Sequence, residues 1–197
     1  PLRYFAYTPC YRMEAGSYRT EERGTIRGYQ FDKVEMVAYT KENESDAMFE
    51  ELVNKARRLC EGLGLHFQTT ALAAGDCSAS MAKTYDIEVS KLAAGDCSAS
   101  MARTYDIEVW IPSMGIYKEC SSVSNSRDYQ ARRGMMRYKD ENGKTKYLHT
   151  LNGSGLATSR LIPAILEQHQ QADGSVIIPE VLRPYMGGLE KISPIKK

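Results

Sequence analysis

Apolar and polar positions alternate along several short stretches of the chain, a period-2 pattern that predicts β-strands. The predicted strands cover residues 7–14, 27–39, 66–71, 104–111 and 116–122. Residues 46–62 instead repeat their apolar side chains at helical spacing, with one apolar face formed by Phe49, Leu52, Ala56 and Leu59. The first half of the chain therefore predicts strands with one amphipathic helix among them.

Local signals mark where these elements begin and end. Ser45 is a predicted N-cap of the helix, which Gly62 or Gly64 is expected to end. Asn142-Gly143, between residues 136–139 and 146–151, predicts a hairpin with a type I′ turn.

The second half of the chain adds two predicted helices. Residues 127–136 are predicted to be helical, and Gly153-Ser154-Gly155 is expected to open a helix that runs to about Gln170. Pro163 falls in the first two turns of that helix. Strands joined by antiparallel-type turns, with helices inserted, indicate an α+β fold.

A near-perfect internal repeat lies in the middle of the chain. Residues 72–89 (LAAGDCSASMAKTYDIEV) recur at 92–109 with one difference, Lys83 against Arg103. Two copies do not make a repeat architecture, which needs at least about three units. A tandem duplication within one element of an existing fold explains the repeat, and a sequence error is the alternative.

Both copies end in the strand pattern TYDIEV, so they compete for one place in the sheet. Only the second copy continues into Trp110-Ile111-Pro112. We therefore predict that residues 104–111 occupy the sheet and that much of 75–95 forms an added excursion. The entropy of loop closure grows slowly with length, so the insertion is tolerable.

Composition narrows the class of protein. The 197 residues carry 26 Lys+Arg and 25 Asp+Glu, a net charge of +1, and 42% are hydrophobic. These values exclude a disordered chain and a strongly basic nucleic-acid sleeve. The sequence contains no stretch of about 18 apolar residues, so it predicts no membrane-spanning helix. The chain starts at Pro1 without an initiating Met, so we expect it to be a piece of a longer protein.

Cysteine and histidine usage argues against metal cages and disulfide frameworks. Five cysteines, an odd number, occur without CxxC spacing, and three histidines lie far apart. A reducing compartment is expected.

Polar side chains in the first two predicted strands suggest an anion site. Arg12 and Glu14 are two residues apart, and Arg27, Phe31 and Glu35 are spaced by four, so each set is expected to share a strand face. Guanidinium groups match phosphate oxygens, and Phe31 offers a surface on which a base can stack. A solvated face with cross-strand ion pairs is the alternative.

Two further groups of residues carry weaker signals. Glu119 and Ser122, at the end of a predicted strand, offer oxygen ligands for a hard cation, although an exposed strand edge explains them equally well. Arg160 follows the small residues of 151–159, which let a backbone approach a ligand closely, although a tight turn is the simpler interpretation. GxGxxG and Walker sequences are absent, which removes the common phosphate loops.

Taken together, these motifs resemble a known family, the seryl-tRNA synthetases. Residues 12–14 (RME), the loop through Arg27 and residues 30–35 (QFDKVE) look like motif 2, within 7–39. Residues 119–125 (ECSSVSN) with 130–133 (QARR) resemble the next conserved stretch, and residues 151–160 look like motif 3, within 150–170. With 179–185 (PEVLRPY), the resemblance covers about residues 1–189 apart from one copy of the repeat.

The resemblance implies a partial class II catalytic domain over residues 1–197, an antiparallel β-sheet flanked by helices. Such an enzyme activates serine with ATP and Mg²⁺ and transfers it to tRNA(Ser). By the resemblance, the ATP site comprises Arg12 (α-phosphate), Glu14 (adenine), Arg27 (β- and γ-phosphates), Phe31 and Arg160 (the two faces of adenine), with Glu119 and Ser122 as Mg²⁺ ligands. Arg160 would also approach the γ-phosphate. Glu35 and Ser154 would contact serine, and Arg12 and Arg160 would be catalytic.

The resemblance also implies a cytoplasmic homodimer in the parent protein, with no membrane partner. The tRNA-gripping arm and motif 1 of the family are expected to be missing from this chain. The alternatives are an inactive fragment or engineered duplication with residual ATP binding, and a paralogue that loads a carrier other than tRNA.

Overall fold

A computed structural model describes residues 1–13, 24–72 and 101–195. Within these residues, six strands form one antiparallel sheet in the order β1-β2-β8-β5-β4-β3. The strands of the sheet are β1 (Leu2–Tyr11), β2 (Gln30–Thr40), β3 (Phe67–Ala71), β4 (Arg103–Ile111), β5 (Ile116–Asn125) and β8 (His149–Ala157). The helices are α1 (Ser45–Gly62), α2 (Tyr129–Arg133) and α3 (Thr158–Gln168). The predicted α+β class is confirmed.

Short elements complete the described part of the chain. Two hairpin-like ribbons, β6 (Arg137–Lys139) with β7 (Thr145–Tyr147) and β9 (Val176–Ile177) with β10 (Lys191–Ile192), lie outside the main sheet. Three 3-10 helices cover Gly24–Arg27, Glu42–Glu44 and Glu180–Met186. None of the helices among the described residues is long and apolar enough to cross a membrane.

The apolar face of α1 forms the centre of the core. Phe49 and Ala56 are completely buried, and the helix packs against β8, β5, β2 and β4. The Phe49 ring meets the Tyr105 ring edge to face, with centroids 5.1 Å apart. Helix α3 packs against the same core through Leu161, Ala164 and Ile165. The helical period therefore located Phe49, Leu52 and Ala56 in the core correctly, whereas Leu59 of the predicted apolar face is 43% exposed.

The second copy of the repeat supplies β4, as predicted. Residues 103–111 pair with β5 on one side, and five of them pair with β3 on the other. Ile107, Val109 and Ile111 alternate along the strand and are fully buried in the core. Residues 75–95, for which an excursion was predicted, lie outside the described residues.

The boundaries of the first two strands differ from the prediction. β1 spans Leu2–Tyr11, and all of its ten residues pair with β2. β2 begins only at Gln30, and Arg27 ends a 3-10 helix. The prediction that Arg27 shares a strand face with Phe31 and Glu35 is therefore wrong. Arg27 lies in the 3-10 helix before β2, and the side chain of its neighbour Ile26 is buried in the core.

The N-cap prediction at Ser45 is also wrong. Glu44 occupies the N-cap position and Ser45 is the first helical residue. The Ser45 hydroxyl donates to the Glu42 carbonyl (3.2 Å) and lies 2.8 Å from Nδ1 of His149, so it is used by other partners. The helix ends at Gly62 with Gly64 in a left-handed conformation, as predicted.

Two predictions between β5 and β8 needed correction. Helix α2 covers only five residues of the predicted 127–136, because Gly134 follows it and Met135 has a positive φ of 53°. The predicted hairpin exists, but its turn is not type I′, which needs two positive φ angles. Only Gly143 has one there, and Asp140 and Lys144 close a three-residue loop through a 2.9 Å backbone hydrogen bond.

The segment predicted to open the last helix is a strand instead. β8 runs through Gly153-Ser154-Gly155 to Ala157, and α3 begins at Thr158 and ends at Gln168. Pairing with both β2 and β5 holds this segment extended. Gly153 permits that pairing, because a Cβ there would lie 3.0 Å from Cγ2 of Val123.

The cysteines of the described residues are free thiols. Cys60 on α1 and Cys120 on β5 are buried with their sulfur atoms 3.9 Å apart, and Cys10 is half-buried. Cys77 and Cys97 lie outside the described residues.

Candidate active site

A row of polar side chains crosses four neighbouring strands on one face of the sheet. Glu35 on β2 is paired with Ser154 on β8, and Ser122 on β5 is paired with Asp106 on β4. β5 pairs with β8 at Val123 and Gly153. The next residues in this antiparallel register, Ser122 and Ser154, therefore lie opposite each other. Directly opposite residues of an antiparallel pair share a face.

This row lies on the face opposite to the apolar core. Along β4, Asp106 and Glu108 alternate with Ile107 and Val109, which pack in the core beneath α1. Because successive side chains of a strand point to opposite faces, the carboxylates lie on the other side of the sheet.

Arg12 and Phe31 are in contact at one end of this face. The Arg12 backbone N–H donates to the carbonyl of Tyr29 (2.9 Å), which extends the β1–β2 pairing by one residue. The Arg12 guanidinium lies 4.7 Å from the centroid of the Phe31 ring, a cation–π contact. An adenine stacked on that face of the ring would displace the guanidinium.

Glu35 and Ser154 are also in contact. The Ser154 hydroxyl donates to Oε2 of Glu35 (3.2 Å), and Nδ2 of Asn152 donates to Oε1 (2.8 Å). Lys33 lies 3.1 Å from the same carboxylate. Glu35 is thus a fixed, half-buried acceptor that could hold a small ammonium or hydroxyl ligand. Sequence analysis missed Asn152 and Lys33, although Lys33 lies two residues from Glu35 on the same strand.

Glu119 and Arg160 form the third contact. Arg160, in the first turn of α3, donates to the Glu119 carbonyl (3.0 Å) and lies 3.7 Å from its carboxylate. The Arg160 side chain is 15% exposed against 44% for Glu119, so the arginine is held and the carboxylate faces outward.

A β-bulge brings Glu119 and Ser122 to one face. Residues three apart on a regular strand point to opposite sides, but the β4–β5 register shifts here, from Ile107 opposite Ser121 to Glu108 opposite Glu119. The extra residue, Cys120, points into the core. The sequence suggested that the two residues lie at a strand end, but they lie within β5.

Asp106 belongs to this cluster, and sequence analysis did not single it out. Its side chain is 8% exposed, and burial, followed by the charge of Glu119, raises the pKa of Asp106 to about 7. The alternation of Asp106 and Glu108 with apolar residues in TYDIEV was the available signal, but it was interpreted only as a strand pattern.

The donor atoms of this cluster suit a hard divalent cation. Glu119 and Ser122 offer oxygen ligands on one face, and Oδ1 of the buried Asp106 has no hydrogen-bond partner among the described residues. No group of three or more His, Cys, Asp or Glu side chains in the described ranges is arranged to enclose a metal ion. Proteins commonly bind Mg²⁺ through one or two carboxylates together with substrate phosphates.

The remaining predicted residues are less informative. Arg27 ends the 3-10 helix that packs against α3, so it approaches the sheet from a different element than expected. Glu14 lies outside the described residues.

The fold and the composition of this face define a class of protein. Residues 1–169 match the model of the tRNA synthetase class II core domain (G, H, P, S and T), and the chain belongs to that family.

Individual relatives point to one member of the class. The chain is 60% identical over 188 residues to serine–tRNA ligase 2 of Clostridium acetobutylicum, covering 95% of this chain and 40% of the relative. Seryl-tRNA synthetase from Pyrococcus horikoshii, solved in complex with ATP, superposes with a TM-score of 0.83 at 36% identity, over 100% of this chain and 39% of that one.

A second solved structure is also similar to the chain. The cytoplasmic serine–tRNA ligase of Naegleria fowleri, solved with AMP, has a TM-score of 0.79 at 30% identity and is covered over 41% of its length, against 99% of this chain. The chain therefore spans about 40% of the length of the relatives it matches.

Proposed function

We propose that this chain is part of the catalytic core of a serine–tRNA ligase. The parent protein would join serine to ATP, giving seryl-adenylate and pyrophosphate, and would then pass the seryl group to tRNA(Ser). The observation that carries the proposal is one sheet face that gathers two arginines (Arg12 and Arg160), an oxygen-ligand set and a hydrogen-bonded polar pair, Glu35 and Ser154.

Nucleotide binding is proposed for one part of this face. Phe31 would stack on the adenine ring and Arg160 would cover its other side, while Arg12 would contact the α-phosphate. Arg27 would hold the β- and γ-phosphates, and Glu14 would contact the adenine. Glu119 and Ser122 would hold Mg²⁺, which when bound neutralises phosphate charge.

Serine binding is proposed for the pocket beside β8. Glu35 would accept the ammonium or hydroxyl of serine, and Ser154 would line the pocket. Hydrogen bonds from Ser154 and Asn152 fix the Glu35 carboxylate, so the acceptor oxygens of Glu35 are already oriented. A fixed acceptor loses little conformational entropy when it binds a ligand.

Activation on this face needs no general base. The carboxylate of serine is ionised and attacks the α-phosphorus, the bond to the bridging oxygen breaks, and pyrophosphate leaves. The protein would hold the two reactants in line and offset the developing charge with Arg12 and Arg160. None of the cysteines is required.

Pyrophosphate exchange tests this function. A longer protein that carries this chain is expected to exchange labelled pyrophosphate into ATP when serine is present, and not with glycine or threonine instead. Charging of tRNA(Ser) is the second step to be measured. No serine-dependent exchange by that protein would eliminate the proposal.

Two alternatives have distinct results in the same assays. Exchange by the longer protein but not by the 197 residues would identify this chain as an inactive fragment or a duplication variant. Serine-dependent exchange without tRNA charging would instead indicate a paralogue that loads another carrier.

We also propose that the parent is a cytoplasmic homodimer, that motif 2 covers 7–39 and motif 3 covers 150–170, and that 72–109 is a tandem duplication.

A further inference from the structure

Asp106 has a buried carboxylate oxygen that nothing among the described residues satisfies. The residue lies on β4 directly opposite Ser122, and Oδ1 makes no hydrogen bond. A buried carboxylate without full hydrogen bonding is strongly unfavourable. Such a group is retained where its charge serves a function, and the residues around Asp106 indicate which function that is.

The neighbouring Glu108 provides a contrast. It lies two residues along on the same face, but its Oε2 accepts hydrogen bonds from Nε2 of Gln68 and Oγ1 of Thr70, both 2.7 Å away. Asp106 instead lies directly opposite Ser122, a proposed Mg²⁺ ligand, on the neighbouring strand, so the two short side chains share a face. Of these two carboxylates, only Asp106 has a buried oxygen that no described residue hydrogen-bonds.

We infer that Asp106 is a positioning residue that orients the Ser122 hydroxyl toward the Mg²⁺ of bound ATP. A serine hydroxyl has one proton and two lone pairs. Donation of the proton to Asp106 leaves the lone pairs for the cation and makes the oxygen a better ligand. The inference rests on the proposed function, because it takes Glu119 and Ser122 as the ligands.

Outer-shell acceptors of this kind have a known magnitude of effect. Removing one typically weakens metal affinity by about 10- to 100-fold. Asp106→Asn keeps the shape of the side chain but offers the hydroxyl a weaker acceptor. It is therefore expected to raise the Mg²⁺ concentration that half-saturates ATP binding by about tenfold or more, while Mg²⁺-free ATP binds as in the wild type.

A double-mutant cycle tests the inference. Calorimetric titration of ATP at increasing Mg²⁺ compares the 197-residue wild type, Asp106→Asn, Ser122→Ala and the double variant. Because Asp106 acts through Ser122, the double variant is expected to need no more Mg²⁺ than Ser122→Ala alone. Glu108→Gln removes an equal charge from the same face and is expected to change the Mg²⁺ requirement less than Asp106→Asn.

The outcomes separate the inference from the function on which it rests. An unchanged Mg²⁺ requirement in Asp106→Asn, or effects that add in the double variant, would overturn the positioning role and leave the function standing. No Mg²⁺·ATP binding by the longer wild-type protein would overturn both, and binding by that protein but not by the 197 residues would move the same four-variant comparison to the longer protein. Circular dichroism checks folding, and Asp106→Ser serves as a second neutral variant if Asp106→Asn does not fold.

Discussion

At the scale of single residues, Arg160 shows how the candidate site is supported. The arginine is largely buried, with one nitrogen donating to the Glu119 backbone carbonyl and the same nitrogen near its carboxylate. Its Nε has no hydrogen-bond partner among the described residues. Glu119 therefore holds the guanidinium at the edge of the proposed nucleotide site.

Arg160→Ala is expected to weaken ATP binding by tenfold or more, since charge-assisted hydrogen bonds contribute about 1.5–3 kcal/mol each. Calorimetric titration of the 197-residue chain measures this. Arg58→Ala, an exposed arginine on α1, is the matched control and is expected to bind ATP as the wild type does. Equal affinity of Arg160→Ala and wild type would show that nucleotide binding does not use this residue.

His149 is a second residue whose environment leads to a prediction. It is 6% exposed, and its Nδ1 lies 2.8 Å from the Ser45 hydroxyl. That hydroxyl gives its only proton to the Glu42 carbonyl, so Nδ1–H of a neutral imidazole is the donor. Burial, and then the charge of Arg127, lower the pKa of His149 below 6.5.

The stability of the protein is therefore expected to fall as the pH drops below about 6.5. There the unfolded chain binds a proton at position 149 that the folded protein does not, so the free energy of unfolding decreases by at most about 1.4 kcal/mol per pH unit. Urea unfolding at pH 7.5 and 5.5 measures the change. His149→Gln is expected to be less stable at pH 7.5 and to depend less on pH; an unchanged pH dependence would contradict this explanation.

At the scale of elements, α1 docks on the sheet through Phe49. The ring is fully buried against Tyr105, and the guanidinium of Arg103 lies 4.5 Å from its centroid. This contact joins the helix to β4, the strand that also carries Asp106. The packing beneath the sheet thus supports the polar row on its other face.

Phe49→Ala is expected to destabilise the protein by about 3–5 kcal/mol, because it removes buried contacts and leaves a cavity. Leu59→Ala truncates a side chain on the same helix that is 43% exposed, and a change within about 1 kcal/mol is expected. Denaturant unfolding of both variants checks the pair. Similar losses would mean that the helix does not depend on Phe49 for docking.

Strand pairing is where prediction from sequence was weakest. Alternation located β2, β3, β4 and β5, yet it did not reveal the bulge at Cys120 or the extended conformation of Gly153–Gly155. A bulge depends on which residues of the neighbouring strand are opposite, and that information is not contained in the period of one strand. For the same reason the sequence predicted Arg27 to lie in β2, which begins three residues later at Gln30.

At the scale of the whole molecule, the duplicated segment is the unusual feature. β3 ends at Ala71 and β4 begins at Arg103, so 31 residues connect two adjacent antiparallel strands. Only the second copy lies next to Trp110 and Pro112, and the pairing of β4 with β5 includes Trp110 and Ile111.

Deletion of residues 72–91, which removes one copy and leaves 11 connecting residues, is expected to preserve the sheet. The shorter connection should raise the free energy of unfolding by roughly 1 kcal/mol, since each doubling of a loop costs only about 0.6 kcal/mol. Denaturant unfolding and circular dichroism measure the effect. A large loss of stability would indicate that the first copy contributes structure.

The sequence by itself determined the α+β class, the helix beneath the sheet, the choice of the second copy for β4 and the family resemblance. Each of these follows from side-chain period or from contiguous motifs. Only the tertiary structure decided that Asp106, Ser122, Ser154 and Glu35 form one row, and that Glu119 shares their face. β2, β8 and the β4–β5 hairpin are far apart in the chain, and their register depends on hydrogen bonds and a bulge between strands, which no local pattern specifies.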